Sequence, residues 1–228
     1  MINKDFKRRR DFVISKIEDN SILFLFSGLE KSRNNDVNYK FRQSSNFFYL
    51  TGINNPSILL IITKIGNRHS TTLVCDRPND IDRIWHGQLP SKSSYRKEFE
   101  IQNVLYFDEL NSLKLNDARN MYYEFADENR LNQFIENLNL SQPQSRYLRN
   151  NTSRSTKIDL SNILFDMRRI KSKSEVSLIR HAAKISANAH INIMKSCKSG
   201  LKEYEIEADF IKHCMSERCE QAYPAIVA

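Results

Sequence analysis

The continuous apolar run SILFLFSG at 21–28 constrains the fold of this chain more than any other feature of the sequence. SILLIIT at 57–63 and STTLVCD at 70–76 follow it as further predicted strands. An uninterrupted apolar run closed by a turn residue such as Gly28 is typical of a strand that is covered on both faces. The segment IGNRH at 65–69 indicates a turn that joins two neighbouring strands. These segments together predict a largely buried sheet.

Further strands and helices alternate along the first 140 residues or so. The additional predicted strands are NFFYLTG at 46–52, NVLYF at 103–107 and NMYYEF at 120–125, and the helical segments lie near 107–114 and 127–139. Alternation of this kind predicts an α/β domain, which we place at residues 1–145.

The basic composition raises the question of an anionic partner. Lys and Arg number 35 against 27 for Asp and Glu, which gives a formal net charge of +8. However, KRRR at 7–10 lies in a helical pattern whose apolar stripe is Phe6, Val13, Ile14 and Ile17, so most of these charges belong to a solvated face. No nucleic-acid-binding motif accompanies this run, and nucleic acid is therefore not the expected partner.

The sequence also predicts a cellular compartment. No apolar run approaches the roughly 18 residues of a membrane helix, and the first residues, MINKDFKRRRDF, carry charge where a signal peptide is apolar. The four cysteines form no CxxC pair, which favours reduced thiols. We therefore expect a cytoplasmic protein without membrane association.

A polar stretch separates this domain from a helical region. SQPQSRYLRNNTSRSTKIDL at 141–160 is rich in Ser, Asn and Arg and indicates a boundary, and we place the linker at 146–170. Ser172 and Glu175 then form an S-x-x-E capping box, and the helix that follows is expected to end at Gly200.

A second helix is predicted from near Glu203, and a strand from Tyr223. The residues that this helix should bury are Tyr204, Ile206, Phe210, Ile211 and Cys214. Two helices and one strand do not make a domain, so 171–228 is expected to be the opening of a larger one. An apolar face of the two helices should remain exposed.

Two long stretches resemble the aminopeptidase P (Xaa-Pro aminopeptidase) family. FRQSSNFFYLTGINNPSILLII at 41–62 is similar to the segment that typifies the family's N-terminal domain, and residues 166–210 resemble the start of its metallopeptidase domain. YPAIVA at 223–228 and, more weakly, IWHGQLP at 84–90 add to the resemblance. The resemblance implies a creatinase/aminopeptidase-P-like mixed sheet flanked by helices, followed by an incomplete α+β pita-bread domain.

The family resemblance implies a hydrolase. Its members remove the first residue from peptides with proline second, by means of two divalent metal ions, usually manganese, held by two Asp, one His and two Glu. All of these ligands are expected downstream of the strand at Tyr223. This segment should therefore contain no catalytic residue, bind no metal and be inactive by itself. Hydrolytic relatives also imply a homo-oligomer assembled through the N-terminal domain.

The resemblance implies two substrate-binding residues within the chain. Trp85 belongs to an Ile-Trp-x-Gly element that in oligomeric relatives reaches a neighbouring active site, with core packing as the alternative. Tyr223 should lie at the edge of the catalytic cleft. For Arg42, Asn46 and Tyr49, which match the family pattern, we expect structural roles.

Two other functions remain as alternatives. His213, Cys214 and Cys219 could approach a metal, but a zinc site needs four ligands, and His190 and Cys197 fall on another predicted helix. Packing or surface exposure is the simpler interpretation. The second alternative is a non-catalytic peptidase-like module that binds a peptide or an acidic protein.

Overall fold

The computed structural model describes residues 2–78, 87, 89–112, 118–141 and 155–227. The chain divides into two compact units, Met1–Arg168 and Arg169–Ala228, called here the first and the second unit. Within the described ranges, no helix combines the length and apolarity that crossing a membrane requires.

The elements of the first unit alternate between helices and strands. Its helices are α1 (Ile2–Lys16), α2 (Ser45–Thr51), α3 (Lys92–Phe99), α4 (Glu128–Ser141) and α5 (Ser161–Arg169, whose last residue opens the second unit), with 3-10 turns at Phe107–Ser112 and Phe125–Asp127. The strands are β1 (Ser21–Phe26), β2 (Ser32–Asn34), β3 (Val37–Asn38), β4 (Leu59–Ile65), β5 (Arg68–Cys75), β6 (Asn103–Tyr106), β7 (Asn120–Tyr123) and β8 (Thr156–Asp159). The second unit contains α6 (Lys173–Ser196) and α7 (Glu203–Ser216).

Six strands form one mixed sheet in the order β6-β5-β4-β1-β7-β8. Strand β4 is antiparallel to both of its neighbours, whereas the β5–β6, β1–β7 and β7–β8 pairs are parallel. Five strands therefore run in one direction, and their carboxyl ends share one edge of the sheet. This confirms the predicted mixed α/β architecture.

Strand β1 lies at the centre of the core and is buried along its whole length. Leu23 and Leu25 pack on one face with helices α1, α2 and α5, whereas Ile22, Phe24 and Phe26 pack on the other with α4. Successive side chains of a strand point to opposite faces, so a strand covered on both faces must be apolar at every position. The prediction of β1 is confirmed for this reason, and the predicted strands β4 and β5 are also present, with exposed residues toward the turn that joins them.

The prediction of a strand at 46–52 is wrong, because this segment forms helix α2. The side chain of Ser44 accepts a hydrogen bond from the backbone N–H of Phe47 at the start of the helix, and Gly52 ends it with φ 74°. Short aromatic runs are ambiguous between helix and strand. The Ser cap and the left-handed Gly distinguish the two here.

Part of the predicted linker is folded. Residues 155–169 supply β8, which pairs with β7, and α5, whose Leu164 is fully buried, as is Leu160 just before the helix. Residues 146–154 lie outside the described part of the chain. The polar residues at 156–159 are compatible with an edge strand, because such a strand is partly exposed and does not require alternating apolar and polar residues.

One charge of the KRRR run is buried, unlike its neighbours. Lys7 and Arg8 are exposed, but Arg10 is only 2% exposed. Its guanidinium donates to the carbonyl oxygens of Leu50 (2.8 Å), Phe99 (2.8 Å) and Glu100 (3.0 Å), at the C-terminal ends of α2 and α3. Burial lowers the pKa of Arg10 to about 10, so the side chain remains charged at neutral pH.

The second unit is a helix pair with an exposed apolar surface. The capping box is confirmed, since Ser172 accepts from the N–H of Glu175 and Glu175 accepts from the N–H of Ser172. Helix α6 ends at Ser196 rather than at Gly200. The large apolar side chains that are exposed on α6 and α7 are Leu178, Ile179, Ile191, Met194, Tyr204 and Met215.

Two predictions for the second unit are wrong. Tyr204 was expected to be buried but is 69% exposed, and within α7 only Cys214 is fully buried. The predicted strand from Tyr223 is absent from the described residues 221–227, and Ile226 is 92% exposed. Extended propensity alone does not form a strand without a neighbouring chain to pair with.

Candidate functional site

Five side chains at the carboxyl ends of β5 and β6 form a connected cluster, called here the Glu109 clamp: Arg77, Lys92, Tyr106, Asp108 and Glu109. Arg77 donates to Asp108 through Nε (2.9 Å), and its second nitrogen lies 3.4 Å from Glu109. Lys92 donates to the other Glu109 oxygen, which also accepts the backbone N–H of Tyr106 at 3.0 Å. Because β5 and β6 are parallel neighbours, their carboxyl ends bring these residues together.

Cation–π contacts complete the Glu109 clamp. Arg77 Cζ lies 4.4 Å and Lys92 Nζ 4.1 Å from the ring centroid of Tyr106. The hydrogen bond from Lys92 and that from the Tyr106 backbone lower the pKa of Glu109, so it is an anion at neutral pH. Sequence reasoning missed this clamp because its members come from three separate segments.

The carboxyl end of β7 carries a second polar group, called here the Asn46 relay: Asn46, Glu124 and Arg168. The Asn46 amide nitrogen donates to Glu124 Oε1 at 2.6 Å, and Arg168 donates to Asn46 Oδ1 at 2.6 Å. Asn46 is buried, and it connects α2 to the end of β7 and to the last turn of α5. The structural role expected for Asn46 is this connection.

Replacing Glu124 by Gln should stabilise the first unit at neutral pH. Burial raises the pKa of Glu124, and the nearby charges of Asp127 and Asp159 also raise it, against the Asn46 hydrogen bond and Arg168. The folded state therefore binds this proton more tightly than the unfolded state, so ionised Glu124 lowers stability above its folded pKa. In urea unfolding, Glu124→Gln should raise the free energy of unfolding at pH 7, and this gain should disappear as the pH falls below the ordinary pKa of a glutamate.

The matched control is Glu128→Gln. The hydrogen bond from Lys157 lowers the pKa of Glu128, so its contribution has the opposite sign and the substitution should reduce stability at pH 7. A clear loss of stability at pH 7 in Glu124→Gln would contradict this prediction. It would show that the interactions of ionised Glu124 with Asn46 and Arg168 stabilise the fold by more than the burial of the carboxylate destabilises it.

The structure describes only one of the two predicted substrate-binding residues. Trp85 lies outside the described residues, as does most of IWHGQLP. Tyr223 is 74% exposed, in the segment after α7. Of the other family-pattern residues, Tyr49 packs against the core and donates to the Met167 carbonyl, whereas Arg42 contacts Gln43 and Ser45 next to it in the chain.

No candidate metal centre is found in the part of the chain that the structure describes. Across the described ranges, no three His, Cys, Asp or Glu side chains come close enough to hold a metal ion. In the second unit, Asn192 Nδ2 lies 3.3 Å from His213 Nδ1, and the ring of His190 packs edge-on against Phe210. These histidines have packing and hydrogen-bonding roles here.

Comparison with known proteins gives concordant matches. The family model "Aminopeptidase P, N-terminal domain" matches residues 6–122. The Xaa-Pro aminopeptidase of Escherichia coli is 28% identical over 97% of this chain and 51% of its own length. That of Haemophilus influenzae is 30% identical over 99% of this chain and 50% of its own length.

Solved structures extend the match to the fold. Aminopeptidase P from E. coli in a low-pH form superposes with a TM-score of 0.84 at 25% identity, covering 94% of this chain and 50% of that one. Proline aminopeptidase P II from Yersinia pestis superposes with a TM-score of 0.83 at 26% identity, and the match covers 95% of this chain and 50% of that one. The chain thus spans about half the length of the relatives it matches. Both its sequence and its mixed sheet place the chain in the family of the aminopeptidase P N-terminal domain.

Proposed function

We propose that this chain is the N-terminal half of an Xaa-Pro aminopeptidase, which releases the first residue from peptides with proline second. The observation that supports this proposal is the match to Xaa-Pro aminopeptidases over 97% and 99% of the chain. An amide bond to proline lacks an N–H, so proteases that bind that donor cannot use it, and a dedicated enzyme is required. In this proposal the protein acts in the cytoplasm as a homo-oligomer.

Within this function, the chain would supply scaffold and substrate contacts rather than catalysis. Trp85 and Tyr223 are the proposed contacts to the peptide. The two divalent metal ions, expected to be manganese, would be held by residues from the half of the relatives that this chain does not match.

The exposed apolar side chains of the second unit support the proposal that the catalytic residues lie in another part of the protein. Leu178 and Ile179 on α6 and Met215 on α7 are each more than half exposed. Apolar surface of this extent on a helix pair marks a surface that another part of a protein covers. We propose that the further sequence present in the longer relatives packs there.

A peptidase assay tests the proposal directly. With added Mn²⁺, the full-length gene product should cleave an Xaa-Pro peptide, and residues 1–228 alone should give no turnover above the buffer rate. Mass spectrometry of the released amino acid and the shortened peptide is the measurement, with a chelator as the control.

Two outcomes would contradict the proposal. Metal-dependent cleavage by residues 1–228 alone would mean that this chain holds the catalytic groups. Tight peptide binding by the full-length product without turnover would instead favour the non-catalytic binding module.

A further inference from the structure

Helix α7 ends in a Schellman turn, a cap in which the chain reverses direction after the last helical residues. The backbone N–H of Arg218 donates to the carbonyl oxygen of Met215 at 3.0 Å, and the N–H of Cys219 donates to that of Cys214 at 2.9 Å. Arg218 adopts the left-handed conformation that this turn requires, with φ 57°. The second of these hydrogen bonds therefore joins two cysteines.

This hydrogen bond limits the distance between Cys214 and Cys219. With standard covalent geometry on either side of the 2.9 Å contact, their Cα atoms are no more than about 6.8 Å apart. Cysteines that share a disulfide have Cα atoms about 4.4–6.8 Å apart. In a Schellman turn, the side chains at these two positions frequently contact each other. The backbone thus places the two thiols where a disulfide can form.

The two thiols differ in their access to solvent. Cys214 is 5% exposed, whereas Cys219 is only partly buried, and both are free thiols in this structure. A small oxidant can therefore reach Cys219 more readily than Cys214. Redox-sensitive cysteines are often arranged in this way, with an accessible thiol beside a second thiol that resolves the first intermediate.

We propose that Cys214 and Cys219 form a reversible, redox-sensitive disulfide, with a low-molecular-weight disulfide such as oxidised glutathione as the oxidant. The Cys219 thiolate attacks one sulfur of the oxidant, which forms a mixed disulfide and releases one glutathione thiolate. The Cys214 thiolate then attacks Cys219 Sγ, forms the protein disulfide and releases the second glutathione thiolate. Two electrons pass from the cysteines to the oxidant, and their two protons are taken up by the two glutathione thiolates.

The disulfide restrains the chain where it leaves α7. It closes a covalent ring around the hydrogen bond between the Cys219 N–H and the Cys214 carbonyl oxygen, so this bond opens less often. The Cys219 amide should therefore exchange its hydrogen about tenfold more slowly in the oxidised protein than in the reduced protein.

Peptide mapping of the full-length gene product tests the site without an activity measurement. Trypsin cuts after Lys212 and Arg218, so it places the two cysteines on different peptides. After incubation with oxidised glutathione and alkylation of the remaining thiols, mass spectrometry should find these peptides joined, and dithiothreitol should separate them. The joined pair should be about ten times more abundant than any other pair of linked cysteine peptides, because the turn holds these two thiols close together.

Cys197→Ser is the matched control, because it removes an exposed thiol from another position in the second unit. This variant should form the joined pair as the unaltered protein does. Cys219→Ser should give no linked peptide that contains Cys214, and oxidant should not slow its amide exchange at position 219. Two results in protein that keeps its far-UV circular dichroism spectrum would overturn the proposal: glutathione that stays on Cys219 as a stable mixed disulfide, or linkage of Cys219 mainly to another cysteine.

Discussion

Replacing Arg10 by Ala is expected to lower the free energy of unfolding of the first unit by about 3–5 kcal/mol. The guanidinium donates to three carbonyl oxygens at the ends of α2 and α3, which have no partner within their own helices and carry partial negative charge. Ala leaves these carbonyls unsatisfied and adds a cavity beside the core. Urea unfolding followed by circular dichroism measures the loss.

Two further variants make this prediction specific. Arg10→Lys keeps the charge but cannot span the three acceptors with one planar fork, so most of the loss should persist. Arg8→Ala should cost less than about 0.5 kcal/mol, because the Arg8 side chain is 70% exposed in its ion pair with Asp5. A loss below about 1 kcal/mol in Arg10→Ala would contradict the role assigned to Arg10.

Replacing Gly52 by Ala is expected to cost about 2–4 kcal/mol. Gly52 ends α2 with φ 74°, where a residue with a side chain is strained. An added Cβ would also overlap the Phe6 ring, with Cδ2 and Cζ both at 2.7 Å. The ring cannot move away readily, because Phe6 is buried and packs against Phe48.

Gly66 provides the control for backbone strain alone. It also has a positive φ, of 56°, but nothing lies within 4 Å of an added Cβ. Gly66→Ala should therefore cost only about 1–2 kcal/mol, and its difference from Gly52→Ala measures the overlap with Phe6. Equal losses at the two positions would show that the ring does adjust.

The sequence by itself determined the central strand β1 and the cap at the start of α6. An unbroken apolar run such as SILFLF can be satisfied only where both faces of a strand are covered, so β1 was predictable before its neighbours were known. The capping box at Ser172 was likewise predictable, because its two hydrogen bonds join residues three apart. Arg10 could have been recognised from its spacing, since it falls on the stripe of Phe6, Val13 and Ile17.

Tertiary structure alone decided the features that depend on residues far apart in the chain. Segment 155–169 folds because β8 pairs with β7 at the edge of the sheet, and no local sequence pattern predicts this pairing. The Glu109 clamp and the Asn46 relay exist because parallel strands bring their carboxyl ends to the same edge of the sheet. The members of each cluster are far apart in sequence, and they interact because their charges and hydrogen-bonding groups are complementary where the folded sheet brings them together. Hydrophobic periodicity and helix or strand propensity therefore do not predict these clusters.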